Sequence, residues 1–283
     1  MIRRAFKVFA YYLADVKNKL FNPAYKLQKL NIGGVGLKVY QGTFTKEDKD
    51  DAWLAFLVKE AKVIFDVGAN MGWTAILANV FGSPERVFLI DPNPIALTYA
   101  SGNMIINDFA PRCTFIKSFV SSNPGEKVKF YTIDTGAAGS MFVSHAKTAS
   151  ALNNWFWVST TTIDQLVAEH NVTPDLIKID VEGAEQLVLL GAQRLARANN
   201  VKFFIEMHAN SEMSMEQNAN SILAWCGENG YRAWYLTDAV ELLSAEQIKH
   251  RGRCHLLLLK FNVDYPERLR EIKQSDKLPS SSK

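Results

Sequence analysis

Carboxylates and one imidazole stand where short apolar runs of this sequence end. Asp66 falls in Val63-Ile-Phe-Asp-Val67, Asp91 closes Arg86-Val-Phe-Leu-Ile-Asp91, and Asp180 closes Asp175-Leu-Ile-Lys-Ile-Asp180, while Glu206 and His208 end a run that begins at Val201. Alternation along an extended chain puts Glu206 and His208 on the same side. An imidazole with an ordinary pKa of about 6.5 suits a general base near neutrality, so His208 is the leading candidate, with Glu206 orienting it or acting itself. Asp180, Glu206 and His208 could instead share a divalent cation that lowers the pKa of a hydroxyl, although no dense ligand spacing demands one. Structural readings stand beside these: His208 as a hydrogen-bonded core residue, Glu182 as a first-turn acid, Glu185 as a solvated helix residue.

The loop Asp66-Val-Gly-Ala-Asn-Met-Gly72 follows the first of these runs. Gly68 and Gly72 allow a sharp turn and a close backbone approach to a ligand, and a helix starting near Gly72 would offer free N–H groups. A dinucleotide cradle wants G-x-G-x-x-G around a pyrophosphate, and that spacing fails here. An acidic Asp66 beside the loop disfavours phosphate and suits a cationic donor such as S-adenosylmethionine, with Asn70 between the glycines. Asp91 ends the second run, where a carboxylate can accept ribose hydroxyls, or cap the helix after Pro92-Asn-Pro94.

The elements that must hold these residues alternate. Apolar stripes at helical spacing (Trp73, Ile76, Leu77, Val80, Phe81, and again Met215, Ala219, Ile222, Cys226) separate the strand-like runs. Cys113 to Val120 reads as a third strand, Glu126 to Ile133 as an extra one, and one helix carries Ala184, Leu187, Val188, Gly191 and Leu195. Arg232 to Leu236 and His255 to Phe261, with no useful helix between them, suggest an antiparallel edge strand. The expected fold is α/β: a doubly wound, mostly parallel, seven-stranded sheet with an N-terminal helical extension. The expected divisions are a helical and strand extension over 1–61, the main domain over 62–263 and a polar tail over 264–283. Trp155 and Trp157 either pack as strand residues, the expected role, or stack on a sugar.

The 283 residues carry 32 Lys and Arg against 29 Asp and Glu, a net +3. That balance is too mild to argue for a nucleic-acid partner. Hydrophobic residues make up 48% and charged residues 22% of the chain, a balance that excludes a disordered chain. Three cysteines far apart (Cys113, Cys226, Cys254) argue against a disulfide framework and fit a reducing, cytoplasmic setting. No apolar run is long enough to span a membrane as a helix. Met1 to Leu20 mixes Phe6, Phe9 and Leu13 with Arg3, Arg4, Lys7, Lys17 and Lys19, either a helix docked on the domain or a basic amphipathic helix at the inner face of a membrane.

Five segments in order, Val63-Ile-Phe-Asp-Val-Gly-Ala-Asn-Met-Gly-Trp73, Ile90-Asp-Pro-Asn-Pro94, Thr162-Ile-Asp-Gln-Leu166, Asp175-Leu-Ile-Lys-Ile-Asp-Val-Glu-Gly-Ala-Glu185 and Ile205-Glu-Met-His208, make the chain resemble the FkbM family of S-adenosylmethionine-dependent methyltransferases. The resemblance implies a class I, Rossmann-like methyltransferase fold and O-methyl transfer to hydroxyls of saccharides, glycolipids or related products. It implies cofactor contacts at Asp66, Gly68, Asn70 and Asp91 and around Ser118; Gly72 and Asp180 complete the expected cofactor set. Acceptor specificity is expected from the irregular segment Thr135 to Thr160, which holds Gly136, Gly139 and His145. The rivals are a nicotinamide-dependent oxidoreductase and a non-catalytic glycan-binding or membrane-docked scaffold.

Overall fold

The computed structural model of the chain describes residues 26–46, 50–132, 140–141, 153–209 and 211–279. The expected basic helix over Met1 to Leu20 and most of the segment Thr135 to Thr160, His145 included, lie outside the described residues.

The first described elements form an antiparallel hairpin, β1 (Leu27–Ile32) and β2 (Val35–Tyr40), followed by helix α1 (Asp51–Val58). Then β3 (Val63–Val67), α2 (Trp73–Phe81), β4 (Arg86–Asp91), α3 (Pro94–Ile106) and β5 (Cys113–Lys117) alternate as the apolar periodicity predicts. The hairpin is tied to α3 by side-chain amides: Tyr40 N donates to Asn103 Oδ1 at 2.8 Å and Lys38 N to Asn107 Oδ1 at 3.0 Å. The expected third strand divides at Ser118, because its last two residues, β6 (Phe119–Val120), leave the main sheet and pair with β8 (Trp155–Thr161), beside β7 (Lys127–Tyr131).

Helix α4 (Ile163–His170) is capped by Thr162, whose side chain accepts Gln165 N. After β9 (Leu176–Ile179), the single helix expected from the sequence is two, α5 (Glu185–Leu190) and α6 (Gln193–Ala198). The break sits at Gly191, where a Cβ would overlap the Ser121 carbonyl oxygen. Asp164 then caps α6 from a distance, accepting Arg194 N and Leu195 N at 2.9 and 2.8 Å. The chain continues through β10 (Lys202–His208), α7 (Met215–Asn229), β11 (Tyr231–Tyr235), a two-residue β12 (Val240–Glu241), β13 (Arg253–Lys260) and α8 (Glu267–Glu271).

The main sheet has eight strands, ordered β12-β11-β13-β10-β9-β3-β4-β5, one more than expected because of β12. Strands β10, β9, β3, β4 and β5 run parallel. The run His255 to Phe261 is not at the edge: β13 inserts between β10 and β11 and pairs antiparallel with both, while the edge is taken by β12, antiparallel to β11. Two apolar layers cover the sheet. One joins α4 to α7 through Val188, Leu189, Leu195 and Ile222, and the other joins α1, α2, α3 and the hairpin through Trp53, Ile76, Leu77 and Val39. Helices on both faces of a mostly parallel sheet make it doubly wound, which leaves the carboxyl ends of β3, β4, β9 and β10 as the place for a ligand.

Candidate active site

Two clefts open at those strand ends and meet at Gly68, Asn70 and Asp180. The first spans β3, β4 and the β5–β6 break and holds about 660 Å³ of empty space, its open mouth included. Ile90, Ala96, Phe119, Val120 and Phe130 give it apolar walls. Among the described residues, three carboxylates (Asp91, Asp180, Glu182) and no cationic side chain line it.

Asp91 is fixed by its own turn. Oδ2 accepts Asn70 N at 2.8 Å and Oδ1 accepts Asn93 N at 2.7 Å. Burial pushes its pKa up to about 6 in spite of those two hydrogen bonds. It does not cap α3; Asn93 does, accepting Ile95 N and Ala96 N. Ser118 lines the same cleft and donates through Oγ to Ser159 O at 2.9 Å.

Asp66 lines neither cleft. It is 0% exposed beneath the loop, with Lys178 Nζ 3.8 Å from Oδ1. Burial raises its pKa to about 6, while Lys178 and Thr74 pull it down. Both glycines are required by the protein's own packing, and Gly68 also lines both clefts. Gly68, at φ +82°, has no room for a Cβ because the Asp180 carbonyl oxygen occupies it, and at Gly72, at φ +84°, a Cβ would press on Leu89 and Ala100 at 3.1 and 3.2 Å. Asn70 also takes a left-handed turn, at φ 48°.

The second cleft, of about 780 Å³ with its mouth, lies between the loop before α1 and the β3 loop. Phe44 and Trp73 form an aromatic wall, ring centroids 4.8 Å apart, and Trp73 Nε1 donates to Asp51 Oδ1 at 2.7 Å. Lys46, Asp50, Lys178 and Glu206 also line it. Lys178 bridges the two clefts' floor by donating to Asp180 Oδ2 at 3.1 Å. Burial works against its charge, yet Asp180 and Asp66 hold its pKa above the ordinary lysine value.

His208 sits among carboxylates on every side. Nδ1 faces Glu185 Oε1 at 3.3 Å and Asp180 Oδ1 at 4.0 Å; Nε2 faces Glu206 Oε1 at 3.4 Å and Glu182 Oε2 at 3.8 Å. Burial opposes its charge, but Glu185 and Glu206 outweigh burial and raise its pKa to about 11. The neutral imidazole expected as a base is therefore a cation at neutral pH. Glu206 moves the other way: burial disfavours its charge, but contact with His208 and His255 holds its pKa well below the usual carboxylate range.

The candidate cation set Asp180, Glu206 and His208, which the sequence did not favour, is not brought together at one point. Asp180 approaches Nδ1 of His208 and Glu206 approaches Nε2, so one ring nitrogen cannot bring both carboxylates to a common ion. Glu185, expected in solvent, is fully buried: its Oε1 also accepts Gly183 N at 2.9 Å and its Oε2 accepts Asn218 Nδ2 at 2.9 Å. Sequence reasoning gave no role to Lys178, Asp50, Arg253 or His255. The last two stand directly opposite His208 and Glu206 in the antiparallel register of β13 on β10, a pairing that the expected edge position of β13 concealed. Trp155 and Trp157 pack edge to face at 5.6 Å on β8 with Lys129 of the paired strand beside them, as strand residues, although Trp157 remains 54% exposed.

Comparison with known proteins adds three likenesses. Hexuronic acid methyltransferase AglP from Haloferax volcanii is 26% identical over 185 residues, 60% of this chain and 72% of that protein. The crystal structure of methyltransferase FkbM from Methylobacillus flagellatus KT aligns with a TM-score of 0.45 and 18% identity over 71% of this chain; the chain spans 44% of that protein. M. jannaschii TYW2, solved in complex with AdoMet, aligns with a TM-score of 0.42 and 11% identity over 84% of this chain and 86% of that one. The methyltransferase FkbM domain matches residues 66–233, from the Asp66 loop through β11, and since that domain takes in more than half of the sequence, the chain belongs to the FkbM methyltransferase family.

Proposed function

We propose that this methyltransferase takes its methyl group from S-adenosylmethionine and delivers it to a hydroxyl of a saccharide. The observation that carries the donor is the lining of the first cleft: three carboxylates, apolar walls and, among the described residues, no cation. A pyrophosphate there would meet like charge at close range, whereas a nucleoside carrying a sulfonium and an ammonium meets attraction. When bound, that donor supplies a methyl group on a positively charged sulfur, open to in-line displacement.

The residues divide the work by position. Asp91 offers carboxylate lone pairs to ribose hydroxyls, with Asn70 and Asn93 already fixing its orientation. Gly68, Asn70 and Ser118 shape the floor, and Gly72 sets the helix that follows. Asp66, below the floor, acts through Lys178. Asp180 is the carboxylate that lines both clefts, so it receives the acceptor's proton, and Lys178 holds it in place. His208 fixes Glu185 and Glu206 around it. The acceptor reading draws on the Phe44–Trp73 wall, a flat apolar surface that suits the C–H face of a sugar ring, and on the likeness to a hexuronic acid methyltransferase.

Equilibrium binding of S-adenosylhomocysteine and of NAD to the purified chain tests the donor, followed by transfer of labelled methyl to neutral and acidic saccharides. Micromolar binding of the homocysteine nucleoside without NAD is expected. Tight NAD binding alone overturns the donor, and labelling of every saccharide tried at background level overturns the acceptor.

A further inference from the structure

Below the second cleft, β13 sets His255 directly across from Glu206, and Asp50, just before α1, closes the third side. His255 is 1% exposed, and neither of its ring nitrogens has a hydrogen-bond partner. Nε2 stands 3.6 Å from Asp50 Oδ2 and 3.7 Å from Glu206 Oε2. A charge-assisted N–H···O bond is about 2.7–2.9 Å long, so these contacts are too long to be one. Two ligands held at about 2.0–2.2 Å from a tetrahedral ion are roughly 3.3–3.6 Å apart, close to the spacing found. Glu206 is already divided between two tasks: Oε1 accepts Arg253 Nη1 at 2.7 Å and faces His208 at 3.4 Å, which leaves Oε2 turned to His255. The imidazole is held in place by Phe204, stacked at 5.8 Å and 20°, and by Trp53 at 5.6 Å.

We propose that Asp50, Glu206 and His255 form a binding site for a divalent transition-metal cation, Mn²⁺ or Zn²⁺. The ion gives Nε2 of His255 a close partner in place of two contacts too long for hydrogen bonds, and one nitrogen with two oxygens is a donor set such ions accept. The neighbouring cluster of Asp180, Glu182 and His208 is the weaker host, because both ring nitrogens of His208 already face Glu185 and Glu206. Asp50 and Glu206 also line the second cleft, so the remaining coordination positions open toward it. Use of those positions to hold an acceptor hydroxyl rests on the methyl-transfer reading; the binding of the ion does not.

The test is calorimetric titration of Mn²⁺ and of Zn²⁺ into the full chain after chelator dialysis, with S-adenosylhomocysteine binding measured on the same samples. One ion per chain is expected. Asp50→Asn and His255→Gln should weaken it more than about 100-fold, beyond the effect of outer-shell partners, while Glu182→Gln retains it. In crystals of the unaltered chain soaked in Mn²⁺, the anomalous peak should lie between the three side chains, a readout that does not depend on how the variants fold. No ion bound by a chain that still binds the nucleoside overturns the site, as does a peak at His208 or loss of binding in Glu182→Gln alone. An ion bound without the nucleoside leaves the site standing and removes the donor reading instead.

Discussion

Asp91 holds one backbone N–H on each carboxylate oxygen and still reaches the first cleft. Its pKa of about 6 is set chiefly by burial, and an acceptor of ribose hydroxyls works as the ionised form. Affinity for S-adenosylhomocysteine should therefore be flat above pH 6 and fall by up to tenfold per unit as pH drops below it, measured by calorimetry across pH 4.5–8. Asp91→Asn should bind weakly and lose that slope. Glu185 carries a different kind of load, since one buried carboxylate satisfies Gly183 N, Asn218 and His208. Glu185→Ala takes an acceptor from all three, and removing one partner from a buried charged network costs about 3–5 kcal/mol, to be read from urea unfolding. Nothing in Glu-Gly-Ala-Glu185 announces this, because an acid in a first helical turn is ordinarily solvated; the buried partner is on β10, far along the chain. His208 was legible as a site residue but not as a cation, because its nearest carboxylate, Glu185, reads in the sequence as a solvated helix residue.

At the level of the element, the parallel core was legible because each of β3, β4, β9 and β10 is a short β-branched or aromatic run that ends where a helical stripe begins. The order of the last strands was not, because a strand that inserts between two others has the same apolar pattern as one at an edge. The glycine loop shows a similar gap: its residues were read correctly as a turn, but the object that excludes a Cβ at Gly68 is the neighbouring strand end. That distinction is measurable. Gly125 has nearly the same backbone angle, φ +79° against +82°, but nothing within 4 Å of an added Cβ. Gly125→Ala should then cost only the conformational penalty, about 1–2 kcal/mol, while Gly68→Ala adds overpacking of about 1–3 kcal/mol. Chemical denaturation of the two variants separates the contributions, and equal losses would mean that the Asp180 strand end yields without resistance.

Across the whole molecule, the site is assembled from both ends of the chain: Asp50 and His255 meet because α1 lies on one face of a sheet whose interior strand β13 arrives last. Such a convergence follows from topology and has no local signature. Burial on this scale also has a pH cost. Asp66 and Asp91 both have folded pKa values near 6 against an ordinary 3.8, so between those values the native state holds more protons than the unfolded chain. By linkage their contribution is fully present below about pH 4 and is lost as pH rises through 6. A shift of about two units corresponds to about 3 kcal/mol for a fully buried group. Asp66→Asn should remove that dependence: relative to the variant, the unaltered chain loses up to about 3 kcal/mol between pH 4 and pH 7 in urea unfolding series. The pairing with Lys178 is made by the ionised carboxylate and is already contained in the folded pKa of Asp66, so it adds no separate pH dependence. Parallel stability curves for the two proteins would instead mean that Lys178 offsets the burial of Asp66 completely.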